Sequence, residues 1–407
     1  MNRRVVVYLL LSLLSLPVIR VAASPQADDP YSARRAQAID LMKANKFVDA
    51  LPVLEKLHAE KPDDVLVLEA LAFAVFSNAA AIADDQARKQ ERVRARKLAE
   101  EAQKLGDTSN LLKVLLEEPA DGSEVKYSGH AEVEASMRQG EAAFAKGDFD
   151  AALAAYKRAL ELDPKQYFAA LFVGDVYFKQ KEYEQAETWF QRAAEINPNT
   201  ETAHRYWGDD LVAENKSPEA KLHFVEAIVA EPYNRRAWVG LIQWAQKQKL
   251  TLAHPAIQPR GTIEDKGKDD KGHAQTNITL DPGMLDPKAK NDGTNAWFSY
   301  TLFRAPWHGE KFQKEFPNEK EYRHSLREEA EALQGVVDHV KEGLKKHEIK
   351  QLDPALATLV ALSDKGLLES FILISKADNG IAKDYPAYRE AHRDQLRQYI
   401  SEFIIHP

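Results

Sequence analysis

The regular spacing of three prolines constrains the fold of this chain more than any other feature. Pro164, Pro198 and Pro232 recur at one constant interval, and the residues before them align in one frame. Four columns repeat in three copies: Gly140, Gly174 and Gly208; Ala152, Ala186 and Ala220; Tyr156, Phe190 and Phe224; Ala159, Ala193 and Ala227. A period of about 34 residues indicates a stack of similar units rather than one globular core.

Each repeating unit is predicted to be two helices joined by a tight turn and closed by its proline. The glycine lets the two helices approach closely, the alanines lie where they cross, and the aromatic fills the space between units. This pattern resembles the tetratricopeptide repeat (TPR) family, and segments 133–166 and 167–200 carry it almost completely. Segment 201–234 is weaker, because Ser217-Pro218 stands where the turn usually has an aromatic residue.

The same frame extends to both sides of this block. Residues 31–64 match a first repeat, 65–107 match a degenerate helix pair, and 108–130 read as a short helix and a linker. Residues 237–249 repeat the first-helix pattern and are predicted to cap the stack. We therefore expect an N-terminal TPR-like segment at 24–130 and a regular TPR block with its capping helix at 131–250.

Residues 1–23 have the pattern of a secretory signal. Arg3 and Arg4 precede an apolar run from Val5 to Ile19, and small residues end at Ala23. The run is shorter than the ~20 residues that a helix needs to cross a bilayer, although an uncleaved anchor remains an alternative. We expect an exported protein, periplasmic or secreted, cleaved after Ala23 and without a later membrane span.

Composition and motifs argue against several functional classes. A net charge of -8 disfavours nucleic acid as a partner, and the absence of cysteine excludes disulfides and thiolate chemistry. We find no phosphate-binding loop, nucleophile elbow or zinc motif. The expectation is a non-catalytic protein with no cofactor and no metal site.

The resemblance to TPR proteins implies protein or peptide binding on a groove formed by the first helix of each repeat. Glu141, Asp175 and Asp209 occupy one equivalent position in three repeats. An acidic and aromatic groove favours a partner with Lys or Arg and apolar anchors. Alternatively, the aromatics pack between repeats beside a solvated acidic face, or the chain's own C-terminal region fills the groove. The candidate groove residues are Glu141, Phe144, Phe172, Asp175, Phe178, Arg205, Tyr206 and Asp209.

The period disappears after Leu250. Residues 251–296 are predicted to be an irregular linker, in which 256–263 and 275–280 could pair as a short β-hairpin. Residues 297–407 are predicted to be a helical domain, so the expected fold class of the whole chain is all-α. An alternative function places a small-molecule-binding or catalytic domain at 251–407. Its candidate ligand-binding patch lies in an aromatic-rich segment and consists of Trp297, Tyr300, Arg304, Trp307 and His308. The competing interpretation is that the aromatic rings of this segment form a buried core.

Overall fold

The computed structural model describes residues 30–44, 46–82, 84–124, 126–268 and 274–406, so the predicted signal segment lies outside the described residues. The chain divides into two compact units between Lys216 and Ser217. Both units are mainly helical. This confirms the prediction of an all-α repeat architecture followed by a helical C-terminal part.

The described part of the first unit consists mainly of helices that follow one another in pairs. They are α1 (Pro30–Lys43), α2 (Phe47–Glu60), α3 (Val65–Ala80), α4 (Asp85–Lys104), α5 (Asn110–Glu117), α6 (Ala131–Ala145), α7 (Phe149–Leu162), α8 (Tyr167–Lys179), α9 (Tyr183–Ile196) and α10 (Glu201–Ala213). Helices α6 to α9 form the two most regular repeats, and α10 is the first helix of the third.

The turns inside the regular repeats share one backbone geometry. Gly147, Lys181 and Asn215 occupy the same position of three successive repeats, and their φ angles are +75°, +62° and +62°. A left-handed residue lets the chain reverse direction abruptly between two helices. Only glycine adopts this conformation without steric cost, so Lys181 is held there by the packing of its repeat.

The repeating columns form the core. The rings of Tyr156 and Phe190 lie against Gly140 and Gly174, where an added Cβ would come within 2.3 and 2.7 Å of the ring atoms. On their other side these rings contact the next repeat, with ring centres 5.4 Å apart for Tyr156 and Phe172 and 5.9 Å for Phe190 and Tyr206. Each aromatic of the column therefore joins two neighbouring repeats.

The second unit begins with two more repeat helices and continues into the C-terminal part. Its described elements are α11 (Ser217–Ala230), α12 (Arg235–Gln248), β1 (Thr251–Leu252), β2 (Gly261–Lys268), β3 (Ala274–Leu280), α13 (Pro287–Asp292), α14 (Trp297–Arg304), α15 (Glu310–Glu315), α16 (Leu326–Lys345), α17 (Pro354–Asp364), α18 (Leu368–Phe371), α19 (Tyr385–Ala391), α20 (Arg393–Tyr399) and β4 (Ile405–His406). Single π-helical turns follow α18 and α20, at Ile372–Lys376 and Ile400–Ile404.

The C-terminal helices pack on α11. The hydroxyl of Tyr385 donates a 2.6 Å hydrogen bond to the carbonyl of Val229, and the guanidinium of Arg389 donates to the carbonyl of Ala230. These carbonyls lie in the last turn of α11, where no intrahelical donor is available. Glu226 pairs with Arg393 at 2.9 Å and with Arg397. Within this unit, the C-terminal part therefore covers a second helix of a repeat.

Two element boundaries of the second unit differ from the expected ones, and a third follows from a proline. The hairpin exists, with β2 and β3 antiparallel and Gly261 opposite Leu280, but its first strand starts at Gly261 rather than at Ala256. Helix α14 ends at Arg304, because Pro306 lacks the backbone N–H that would continue the α-helix. A 3₁₀ turn follows at Ala305–His308. Apolar spacing predicts a helix from Asn318 to His347, but helix α16 starts at Leu326 with Ser325 as its cap. In the described ranges, no helix combines the length and hydropathy needed to cross a membrane.

Candidate functional site

The three equivalent carboxylates of the predicted groove lie on the first helices of three repeats, at one position of α6, α8 and α10. Glu141 is 5% exposed and Asp175 is 6% exposed, whereas the side chain of Asp209 keeps 20% of its surface in solvent. The expected solvated acidic face is therefore limited to Asp209. Two of the three carboxylates are buried groups.

Glu141 lies inside a cluster of hydroxyl groups. Tyr156 donates a 2.6 Å hydrogen bond to Oε1 of Glu141. Burial raises the pKa of Glu141 to about 8, although the hydroxyls of Tyr156 and Tyr127 and the charge of Arg138 oppose the rise. At neutral pH this carboxyl group therefore carries its proton most of the time, and it adds little negative charge to the groove.

Asp175 has a different environment. Burial raises its pKa to about 6, and the charges of Lys179 and Arg205 oppose the rise. Asp175 is thus mainly ionised at pH 7. None of the described residues donates a hydrogen bond to its carboxylate. The carboxylate oxygens of Asp175 are not among the fully buried unpartnered atoms of the described residues, so solvent or a ligand can reach them.

Arg205 is the buried cation of the groove. Its Nε donates to Oε2 of Glu201 at 2.9 Å, and Nη1 is 3.9 Å from Oδ2 of Asp209. The guanidinium also lies over the ring of Tyr206, 4.8 Å from its centre. Glu201 neutralises Arg205, and Lys179 lies near enough to Asp175 to oppose the rise of its pKa, so Lys179 offsets part of the negative charge that Asp175 and Asp209 give this face.

The aromatic candidates serve the repeats themselves. Phe144 and Phe178 pack on the first residue of the following helix, with ring centres 5.6 Å from Phe149 and 5.9 Å from Tyr183. Phe172 and Tyr206 lie between repeats, as described above. The alternative that the aromatics pack between repeats thus describes Phe172 and Tyr206, whereas Phe144 and Phe178 close the turn within a repeat.

One residue of this face comes from the linker and was missed in the sequence. Tyr127 is 8% exposed, and its ring packs on Phe168 and Phe172, with centres 5.8 and 5.9 Å apart. Arg138 lies over the same ring at 4.9 Å. The only sequence signal was an aromatic residue within an otherwise polar linker, because the linker carries no period that would place it.

Asp210 is a second residue that sequence reasoning missed. It follows Asp209 on α10 and is completely buried. Burial, together with the charges of Glu214 and Glu187, raises its pKa to about 8. The adjacent pair of aspartates was visible in the sequence, but the helical face that each one occupies depends on the packing of α10.

The C-terminal candidates form a buried layer in the second unit. Trp297 and Trp307 are 2% and 0% exposed. Tyr300, Arg304 and His308 come together around Glu328, which is fully buried: Arg304 donates to its carboxylate at 2.9 Å, and His308 lies 3.9 Å from it. Tyr300 donates to Glu329 at 2.7 Å.

Two residues from the loop before α16 complete this network. Tyr322 donates to the carboxylate of Glu328 at 3.0 Å, and its hydroxyl is 3.2 Å from Nε2 of His308. His324 bridges Glu329 and Asp378 at 3.0 and 2.8 Å. Among the residues that the structure describes, no cluster of three or more His, Asp or Glu is arranged to hold a metal ion. Most of these side chains hydrogen-bond to one another and form a buried polar network.

Two clefts of the second unit are lined by other residues. One, of about 910 Å³, lies beside the hairpin and is bordered by Arg260, Asp281, Trp297 and Asp353. Both of its aspartates already cap helices: Asp281 accepts a hydrogen bond from the backbone N–H of Gly283, and Asp353 accepts one from that of Ala355. The other, of about 460 Å³, lies between α12 and β1 and is mainly apolar.

Comparisons with known proteins bear on the repeat block. The family described as Tetratricopeptide repeat matches residues 137–200. No curated protein matches the chain. Solved structures similar to it include MamA, at 18% identity over 55% of this chain and 97% of that one, with a TM-score of 0.25. The TPR2AB-domain:pHSP90 complex of yeast Sti1 follows, at 15% identity over 53% and 96%, with a TM-score of 0.27. A thermophilic TPR protein of Thermus thermophilus reaches 16% identity over 54% and 99%, also with a TM-score of 0.27.

Proposed function

Because the chain is a tetratricopeptide-repeat protein, we propose that it is an exported scaffold that binds a protein or peptide partner on the first helices of its repeats. The binding face is formed by α6, α8 and α10, and its function is non-catalytic. The observation that carries the proposal is Asp175. This mostly buried carboxylate is ionised at neutral pH and receives no hydrogen bond from the described residues, and its oxygens are open to a donor on a partner.

The charges of this face define the chemistry of the partner. Asp175 and Asp209 supply negative charge, which Lys179 partly offsets, whereas Glu141 is mainly protonated and Arg205 is neutralised by Glu201. A lysine or arginine of the partner would supply the missing hydrogen bond to Asp175. Apolar anchors of the partner would pack beside the half-buried ring of Phe178.

Affinity capture from the native cell envelope tests the proposal. The bait is the mature chain, compared with a variant that carries Glu141→Gln, Asp175→Asn and Asp209→Asn. Amides preserve shape and remove charge, whereas lysine at the buried Glu141 would break the Tyr156 hydrogen bond and unfold the repeat. We expect a protein that the native bait recovers and the amide variant loses.

The matched control removes two exposed carboxylates from second helices of the repeats. Asp150→Asn on α7 and Glu184→Gln on α9 remove as much negative charge as the test variant loses at pH 7, since Glu141 is mainly protonated there. This variant should recover the partner as the native chain does. Equal loss in both variants would show that net charge, rather than the proposed face, determines binding.

Export is supported by the N-terminal sequence pattern. The mature chain should begin at Ser24, and mass spectrometry of protein purified from its native host measures this directly. An intact N-terminus in the cytoplasmic fraction would contradict export while leaving the scaffold proposal open to the capture experiment.

A further inference from the structure

The linker between α5 and α6 lies on the repeat block as a bound peptide would. Residues 126–128 have no helical or strand structure and run past the start of α6. Two successive backbone N–H groups, those of Tyr127 and Ser128, donate to one carboxylate oxygen of Glu134 at 2.7 and 3.1 Å. The side-chain amide of Gln166 donates to the carbonyl of Tyr127 at 2.9 Å. Side chains of α6 and of the turn before α8 thus bind the backbone of this segment.

Two side chains of the segment occupy separate sites. The ring of Tyr127 fills an aromatic site formed by Phe168, Phe172 and the guanidinium of Arg138. Earlier in the segment, the carboxylate of Glu124 lies among three arginines, at 3.0 Å from Arg88, 3.0 Å from Arg138 and 3.5 Å from Arg92. An acidic residue and an aromatic residue, three positions apart, are therefore the features that this surface recognises.

We infer that the segment around Tyr127 is an internal ligand, and that the surface beneath it binds an extended peptide of a partner with an acidic residue three positions before a tyrosine or phenylalanine. This inference rests on the proposed scaffold function and identifies a further part of the partner. The three arginines, which also pair with Asp85, Glu118 and Glu134, hold the acidic residue through ion pairs, and Glu134 and Gln166 recognise the backbone. The partner displaces the internal segment by making the same contacts.

Glycines flank the segment on both sides. The turn Asp121-Gly122-Ser123 precedes it and is anchored on α4, because Gly122, at a φ of +71°, packs so closely there that an added Cβ would lie 2.4 Å from the carbonyl oxygen of Lys89. Gly129 follows it, and no atom lies within 4 Å of the position that its Cβ would take. Both ends of the linker are fixed by helices, so the segment can swing away as a loop without unfolding α5 or α6.

A peptide in trans tests this inference. The probe is a fluorescent decapeptide with the sequence of residues 121–130, Asp-Gly-Ser-Glu-Val-Lys-Tyr-Ser-Gly-His, added to the full mature chain and to its Tyr127→Ala variant. In the native chain the peptide can bind only to the fraction of molecules in which the internal segment has left the site, and its apparent affinity is reduced to that fraction of the intrinsic affinity. The variant should therefore bind the peptide at least about tenfold more tightly than the native chain. Peptides in which the tyrosine or the glutamate is replaced by alanine should bind at least about tenfold more weakly.

A second measurement needs no variant and protects the test against misfolding. Excess native peptide should speed deuterium exchange at the amides of Tyr127 and Ser128 in the native chain, because it displaces them from Glu134. The inference is overturned if the folded Tyr127→Ala variant does not bind the peptide, or if the alanine peptides bind as well as the native one. Unchanged exchange at saturating peptide would overturn it as well.

The outcome is independent of the capture experiment. A peptide that binds while no envelope protein is captured supports the internal ligand and contradicts the scaffold function. Capture of a partner without peptide binding leaves the scaffold function standing and shows that the segment is a fixed strap.

Discussion

The buried carboxyl group of Glu141 makes the stability of the first unit depend on pH, and Glu141→Gln isolates that dependence. The folded-state pKa is about 8, against a reference value of 4.5. Between pH 4.5 and about pH 8, the folded chain therefore binds more protons than the unfolded chain. The stabilisation is complete below pH 4.5 and is lost as the pH rises through 8.

The magnitude follows from this difference in pKa. Each pKa unit corresponds to about 1.4 kcal/mol, and integration from pH 5 to pH 9 gives a loss of about 4 kcal/mol for this one group. Glutamine has nearly the same shape, stays neutral, and its carbonyl accepts the hydrogen bond from Tyr156. Relative to the native chain, the variant should therefore gain about 4 kcal/mol between pH 5 and pH 9.

Urea unfolding of both proteins, followed by far-ultraviolet circular dichroism at pH 5, 7 and 9, measures this difference. Asp150→Asn removes an exposed carboxylate from α7 and serves as the control, with no expected pH-dependent gain. A free-energy difference between Glu141→Gln and the native chain that stays constant within ~1 kcal/mol across this pH range would refute the reasoning.

Three further predictions concern the repeats and the C-terminal network. Gly174→Ala should lower the free energy of unfolding by about 1–3 kcal/mol, because its Cβ would lie 2.7 Å from Phe190. The control is Gly129→Ala, whose Cβ would meet no atom within 4 Å. Equal effects of the two substitutions in urea unfolding would contradict the packing argument. Lys181→Gly should stabilise the chain by up to about 1 kcal/mol, because glycine adopts the left-handed backbone of this position without strain. Lys146→Gly, at a φ of -86°, should not stabilise it. A lower free energy of unfolding for Lys181→Gly would contradict this prediction. Burial disfavours the charged form of His324, but the hydrogen bond and charge of Glu329 outweigh this and raise its pKa. Its stabilisation should be complete below the ordinary value near 6.5 and fade as the pH rises through the folded-state pKa, and His324→Gln should flatten that part of the pH profile of thermal unfolding; equal profiles would exclude the effect.

The repeat period predicts the positions of the regular helices because each column has one packing role. Gly140 and Tyr156 illustrate this, since the close contact between them depends on residues of a single repeat. Lys181 shows where the period stops being informative. Its left-handed conformation follows from equivalence with Gly147, not from any preference of lysine.

The candidate site could be predicted only in part. The sequence places Glu141, Asp175 and Asp209 on equivalent positions but does not show that two of them are buried. The burial of Glu141 depends partly on Tyr127, which belongs to a linker without any period. In the C-terminal part, apolar spacing predicts a helix that includes Tyr322, whereas Ser325 caps α16 and leaves Tyr322 in a loop that reaches Glu328. Contacts between distant segments decided both cases.

The most direct test of the scaffold function is deuterium exchange of the full mature chain with and without the partner recovered by affinity capture. Our account predicts that the partner slows exchange in α6, α8 and α10, with the largest effect around Asp175 and Asp209, and leaves α7 and α9 unchanged. Protection confined to α7 and α9, or to the C-terminal helices, would contradict the assignment of the binding face.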